Sequence, residues 1–136
     1  MRTILAFAAA VLTAAALAAP AMAGDAVTSR TSRFGTILFD KRGFVLYGFT
    51  ADKAGKSACY GACAKAWPPY LVKGAAPKGP KLGTTRRKDG KLQVTYAGRP
   101  LYYYVGDTRA GQILCQDVVE YGGRWLVVRP SGMLVR

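Results

Sequence analysis

The 136-residue chain contains no histidine. That removes Ser-His-Asp and Cys-His nucleophilic sites, and with them the commonest metal ligand. Acidic residues are scarce: seven Asp and Glu stand against twenty Lys and Arg, a formal charge of +13. So few carboxylates, in no clustered pattern, offer no acid–base pair of the kind glycoside hydrolysis needs. No glycine-rich phosphate loop follows a strand and opens a helix. The three cysteines, Cys59, Cys63 and Cys115, form no Cys-x-x-Cys, so the usual dithiol redox motif is missing. With Met133 they could ligate a soft metal such as copper(I), but no spacing recommends it. These absences predict a protein that is not an enzyme and carries no cofactor.

Only one apolar run is long. Arg2 precedes an Ala- and Leu-rich stretch from Ile4 to Ala19, Pro20 breaks it, and Ala21-Met22-Ala23 supplies small residues. Residues 1–23 therefore read as a signal peptide cleaved after Ala23. No cysteine sits there to take a lipid, and no second run is long enough to span a bilayer. An exported, basic chain meets envelope glycolipids, phospholipid head groups and acidic polysaccharides, and its charge draws it towards anionic surfaces. The bland alternative is a merely solvated basic face.

What is present is a repeat. Gly43-Phe44-Val45-Leu46-Tyr47-Gly48-Phe49-Thr50-Ala51-Asp52 recurs, without a gap, as Gly98-Arg99-Pro100-Leu101-Tyr102-Tyr103-Tyr104-Val105-Gly106-Asp107. The glycine, the Leu-Tyr pair, an aromatic two residues after the tyrosine and an aspartate five after it all match. Residues 24–32 are small, polar and without periodicity, and read as a flexible lead-in. Phe34–Phe39, a turn over Asp40–Gly43 and Phe44–Phe49 read as a β-hairpin. Ser57 is a candidate cap for a short helix over 57–67, ended by Pro68-Pro69. Lys73–Gly90 reads as a long, exposed, mobile basic loop. Leu92–Tyr96, the Ala97-Gly98 turn and Arg99–Val105 form a second hairpin, with Pro100 at a strand start or edge. Ile113–Tyr121 is ambiguous, Arg124–Arg129 is a strand, and Met133–Val135 a short closing one. The expected fold is mainly β: a single small antiparallel domain over 33–136, built from two pseudo-symmetric hairpin repeats (about 36–72 and 91–129) with one short helix.

Residues two apart on a strand share a face. Tyr47 with Phe49, and Tyr102 with Tyr104, should form aromatic pairs through which the hairpins pack, since neither ribbon is stable alone. Asp52 and Asp107 should fix the following turns through backbone amides two or three residues on. The sharper alternative places the two aspartates face to face across the pseudo-axis, binding a ligand or cation.

The first copy, then Gly55-Lys56-Ser57, Cys59-Tyr60-Gly61-Ala62-Cys63 and Trp67-Pro68-Pro69, resembles the secreted-repeat family of predicted bacterial lipoproteins with its Tyr-x-(Phe/Trp/Tyr)-x-x-Asp motif. The second copy matches that motif too. The resemblance spans about Thr36 to Gly132 and implies export and tandem repeats, with no activity attached. The chain departs from it in lacking a lipobox cysteine and in having Cys115.

Cysteines four apart on a helix lie on one face, about 6 Å apart at Cα, within disulfide range. A Cys59–Cys63 bond is expected, with Cys115 either a buried small residue or a competing partner. Trp67 and Trp125 read as packing residues. Lys73, Lys78, Lys81, Arg86, Arg87, Lys88 and Lys91 form the densest positive stretch. They lack interleaved aromatics for stacking on bases, so the expected partner is an anionic envelope surface or polysaccharide and not a specific nucleic acid. The rival expectation is an extracytoplasmic redox or soft-metal-handling protein using its cysteines. A third is a scaffold for other envelope proteins.

Overall fold

The structure, a computed structural model, describes residues 10–12, 14 and 26–136. The expected signal peptide and its cleavage site otherwise lie outside the described residues. The chain runs β1 (Val27–Ser32), β2 (Gly35–Asp40), β3 (Tyr47–Phe49), α1 (Ala62–Ala66), β4 (Leu82–Arg86), β5 (Leu92–Tyr96), β6 (Arg99–Pro100), β7 (Val118–Glu120) and β8 (Gly123–Val127). All ladders are antiparallel, in the orders β1-β2, β3-β8-β7 and β4-β5-β6. The mainly β architecture with one short helix is as the sequence implies.

The first hairpin closes at the turn over Asp40–Gly43. Asp40 N–H donates to Phe44 O at 2.8 Å and Leu46 N–H to Leu38 O at 3.1 Å. The Asp40 carboxylate accepts from the Arg42 and Phe44 amides, the ordinary way an aspartate braces a turn. The second hairpin turns at Ala97-Gly98, both at positive φ (49° and 76°), as a two-residue hairpin loop requires.

Two stretches differ from expectation. Val27–Ser32, placed in the lead-in, is β1, paired with all of β2. Leu82–Arg86, placed in the basic loop, is β4, paired with β5. Both are outer strands held by main-chain ladders, and Thr85 is their one buried residue, so they need little apolar alternation. They are also equivalents. Each is followed by a glycine at φ +85°, Gly35 and Gly90, so the repeat is one strand longer than the expected hairpin. The helix is shorter than expected. Gly61 precedes α1 with φ 57° and ψ −125°, no side chain caps it, and Ser57 is engaged elsewhere.

After each hairpin the chain crosses to the other repeat. Tyr70 N–H donates to Leu101 O (2.9 Å), Val94 N–H to Tyr70 O (2.8 Å) and Val72 N–H to Leu92 O (2.9 Å). The segment behind Trp67 thus completes the second hairpin. Reciprocally, β8 pairs with β3, and Leu38 N–H donates to Val128 O at 2.9 Å. The repeats exchange their last strands.

Alternation along the strands builds two core clusters. Ile37, Phe39, Val45, Tyr47, Phe49, Trp67, Tyr102, Trp125 and Val127 form the larger; Leu38, Leu46, Val94, Leu101 and Val128 form the smaller.

Candidate functional site

The two tyrosine segments meet at the pseudo-axis. Tyr47 N–H donates to Tyr102 O and Tyr102 N–H to Tyr47 O, both at 2.9 Å. The side chains then cross. Tyr47 Oη donates to Asp107 Oδ2 at 2.7 Å, and Tyr102 Oη to Asp52 Oδ2 at 2.8 Å. The second oxygen of each aspartate holds its own repeat's loop: Asp52 Oδ1 accepts from Ala58 N–H (2.8 Å) and Asp107 Oδ1 from Leu114 N–H (2.9 Å). The amides therefore lie six and seven residues on, not two or three, because the aspartates pin whole loops and not single turns. The carboxylates do not meet across the axis. Each is taken by the opposite tyrosine and a local amide.

The tryptophans follow the same symmetry. Trp67 and Trp125 stack at 4.2 Å with planes 4° apart. Each meets its own repeat's tyrosine edge-on, Trp67–Tyr47 at 5.2 Å and Trp125–Tyr102 at 5.0 Å. Each lies against the following aromatic of the other repeat, Tyr104 at 4.8 Å and Phe49 at 4.0 Å. Glu120 serves both indoles: its Oε2 accepts from Trp67 Nε1 and its carbonyl from Trp125 Nε1. Tyr47, Phe49, Tyr102 and both tryptophans have no exposed surface, and Tyr104 is half-buried.

Electrostatics follow from burial. Burial raises Asp52 to about 6, against the lowering effect of the Ala58 amide, the Tyr102 hydroxyl and the Arg99 and Arg87 charges. Burial likewise raises Asp107, opposed by Tyr47 and the Leu114 amide. Tyr47 and Tyr102 are pushed well above the usual phenol range, by burial first and then by their carboxylate partners.

Beside Asp52 the symmetry breaks. Arg87 is only 4 % exposed, which removes it from the expected polyanion surface. Its Nη1 donates to Ser57 Oγ (3.0 Å) and Gln93 Oε1 (2.8 Å), its Nη2 to Cys59 O (2.7 Å). The guanidinium covers Tyr60 at 4.4 Å, and Nε faces Asp89 at 3.7 Å. Ser57 and Tyr102 hydroxyls are hydrogen-bonded at 2.7 Å, and Gln93 Nε2 donates to Leu101 O. The chain Asp52–Tyr102–Ser57–Arg87–Gln93 ties both repeats together through buried hydrogen bonds, with Arg87 Nε buried and without a hydrogen-bond partner among the described residues. Ser57, Gln93 and Glu120 carried no sequence signal of this. The signal for Arg87 was the Thr84-Thr85 run before it, where Thr85 and Arg87 turn inward and Arg86 outward. Lys73, Lys78, Lys81, Arg86, Lys88 and Lys91 are exposed. Lys81 Nζ donates to Pro130 O and Arg86 Nη1 to Gly90 O.

Cys59 and Cys63 are disulfide-bonded, with Cα atoms 5.2 Å apart, and both are buried. Cys115 is free and half-buried. Burial raises its thiol pKa, opposed by the Tyr104 hydroxyl. Among the described residues no three His, Cys, Asp or Glu cluster as a metal site, and no helix is long and apolar enough to cross a membrane.

A two-copy β domain locked by crossed Tyr–Asp bonds defines the class. The family described as a secreted repeat of unknown function (Lipoprotein_15) matches residues 28–70 and 83–129, and the chain belongs to it. Both matched spans begin two strands before the aromatic motif, taking in most of β1 and β4. No curated protein and no solved structure matches the chain.

Proposed function

We propose that the chain is an exported, non-enzymatic domain that contacts anionic cell-envelope material, a headgroup surface or an acidic polysaccharide, through its basic side chains. One observation carries this. Seventeen of the nineteen Lys and Arg beyond residue 26 are exposed, whereas every described carboxylate side chain has an internal partner. Asp40 is held by Arg42 and Tyr103, Asp52 and Asp107 by tyrosines, Asp89 by the Lys91 amide, Asp117 by Arg124 and Glu120 by Trp67. The outward field is accordingly positive and little offset, which draws polyanions.

The buried disulfide, and the lack of a ligand cluster around Cys115 among the described residues, favour this surface over a redox or metal-handling role. Co-sedimentation with phosphatidylglycerol vesicles, lipopolysaccharide or an acidic polysaccharide tests it. Binding is expected at low ionic strength and lost at about 0.5 M salt, where screening acts within a few ångströms. No binding at any salt, or binding indifferent to salt, would overturn the proposal.

A further inference from the structure

One groove on the surface is lined by three arginines. Arg99, Arg129 and Arg136 surround Met133 and Leu134 in a depression of about 410 Å³. Arg99 is held in place: its Nε donates to Gly132 O at 3.2 Å. Its stem and Leu134 crowd the bare backbone of Gly48, where any Cβ would come within 2.6 Å of both. Arg129 is set by its own turn, since its N–H donates to Met133 O and its carbonyl accepts from Gly132 N–H, each at 2.8 Å. Gly132 takes φ +89° there.

None of the described ion pairs involves the three arginines, and among the described residues the Arg129 and Arg136 side chains make no hydrogen bond. Burial lowers the Arg99 pKa, Asp52 opposes it, and the like charge of Arg136 adds to the lowering. The fold's pseudo-symmetry does not require this gathering, because the counterpart of Arg99 in the first repeat is Phe44. Three arginines lining one depression, two of them exposed, offer the kind of guanidinium forks that a phosphate takes.

We propose that Arg99, Arg129 and Arg136 bind a phosphate group, borne by a lipid headgroup or free in solution; the lipid case rests on the envelope reading above. The test is calorimetric titration of the full chain with pyrophosphate, beside binding to phosphatidylglycerol vesicles. The variants are Arg129→Gln/Arg136→Gln, Arg129→Lys/Arg136→Lys and Lys73→Gln/Lys78→Gln/Lys88→Gln/Lys91→Gln. Thermal unfolding of each checks that it folds, and the exposure of the Arg129 and Arg136 side chains makes that the expected result.

Pyrophosphate affinity should fall at least about tenfold in the double glutamine variant, the size of a lost charge-assisted bond. It should recover only partly with lysines, and change less than about twofold in the loop variant. Vesicle binding that falls together with pyrophosphate binding supports the site and names the headgroup as source. Pyrophosphate binding without vesicle binding supports the site with a soluble source and overturns the envelope reading. Unchanged pyrophosphate affinity in the double glutamine variant, or none in the wild type, overturns the site. Vesicle binding lost only in the loop variant would then leave the envelope reading standing.

Discussion

Asp52 carries more of the architecture than its exposure suggests. It joins its own loop to Tyr102 of the other repeat, and burial holds its pKa at about 6. An acid with a folded-state pKa above its ordinary 3.8 is bound more tightly to its proton in the native state. Its contribution therefore strengthens the fold as pH falls from about 7 through 6 towards 4, and weakens it on the way back up. The urea midpoint should rise over that interval, and Asp52→Asn should flatten the part of the rise that Asp107 does not supply.

Tyr102→Phe leaves Asp52 and Ser57 without their shared hydroxyl and should cost about 1–3 kcal/mol. Combined with Asp52→Asn the losses should fall short of additive, because both remove one bond. Arg87 should be the most sensitive basic residue. Arg87→Met strips partners from Ser57, Gln93 and the Cys59 carbonyl, and a loss of about 3–5 kcal/mol is expected in chemical denaturation. Lys73→Gln or Lys78→Gln, both exposed, should stay within about 0.5 kcal/mol of wild type.

Among elements, the exchanged strands set the unit of folding. The first hairpin obtains its neighbour from β8, and the second from the segment after Trp67. A fragment covering residues 26–72 therefore lacks β8, Tyr102 and Trp125, and should give the far-ultraviolet spectrum and proton dispersion of an unfolded chain. Native-like spectra from it would show that the exchange is dispensable. The Cys59–Cys63 bond closes a short loop, so Cys59→Ala/Cys63→Ala should lower stability by about 2 kcal/mol on the chain-entropy account.

The elements also show where reading a sequence stops. The aromatic strands and glycine turns of both hairpins announce themselves by period and turn chemistry. β1 and β4 do not, because a polar outer strand is held by main-chain bonds to which any side chain is compatible. The helix was overextended because alanine and lysine favour helix on propensity, while Gly61 adopts a conformation that stops it at Ala62.

On the scale of the molecule, both tryptophans stack at the junction of the repeats, so their fluorescence reports the same event as the loss of strand. Equilibrium unfolding followed by tryptophan emission and by circular dichroism should coincide in one transition. Separate midpoints would mean that the repeats melt independently.

The chain's order alone determined the duplication, the β class, the disulfide spacing and the aromatic faces, because these are local periodicities repeated at one offset. Only tertiary structure decided that Tyr47 bonds Asp107 and Tyr102 bonds Asp52, that the last strands change places, and that Arg87 turns inward while Arg129 and Arg136 face solvent. Those choices join residues far apart along the chain. They are selected by which buried polar groups can find partners once the two halves close on each other, and no local pattern encodes that selection.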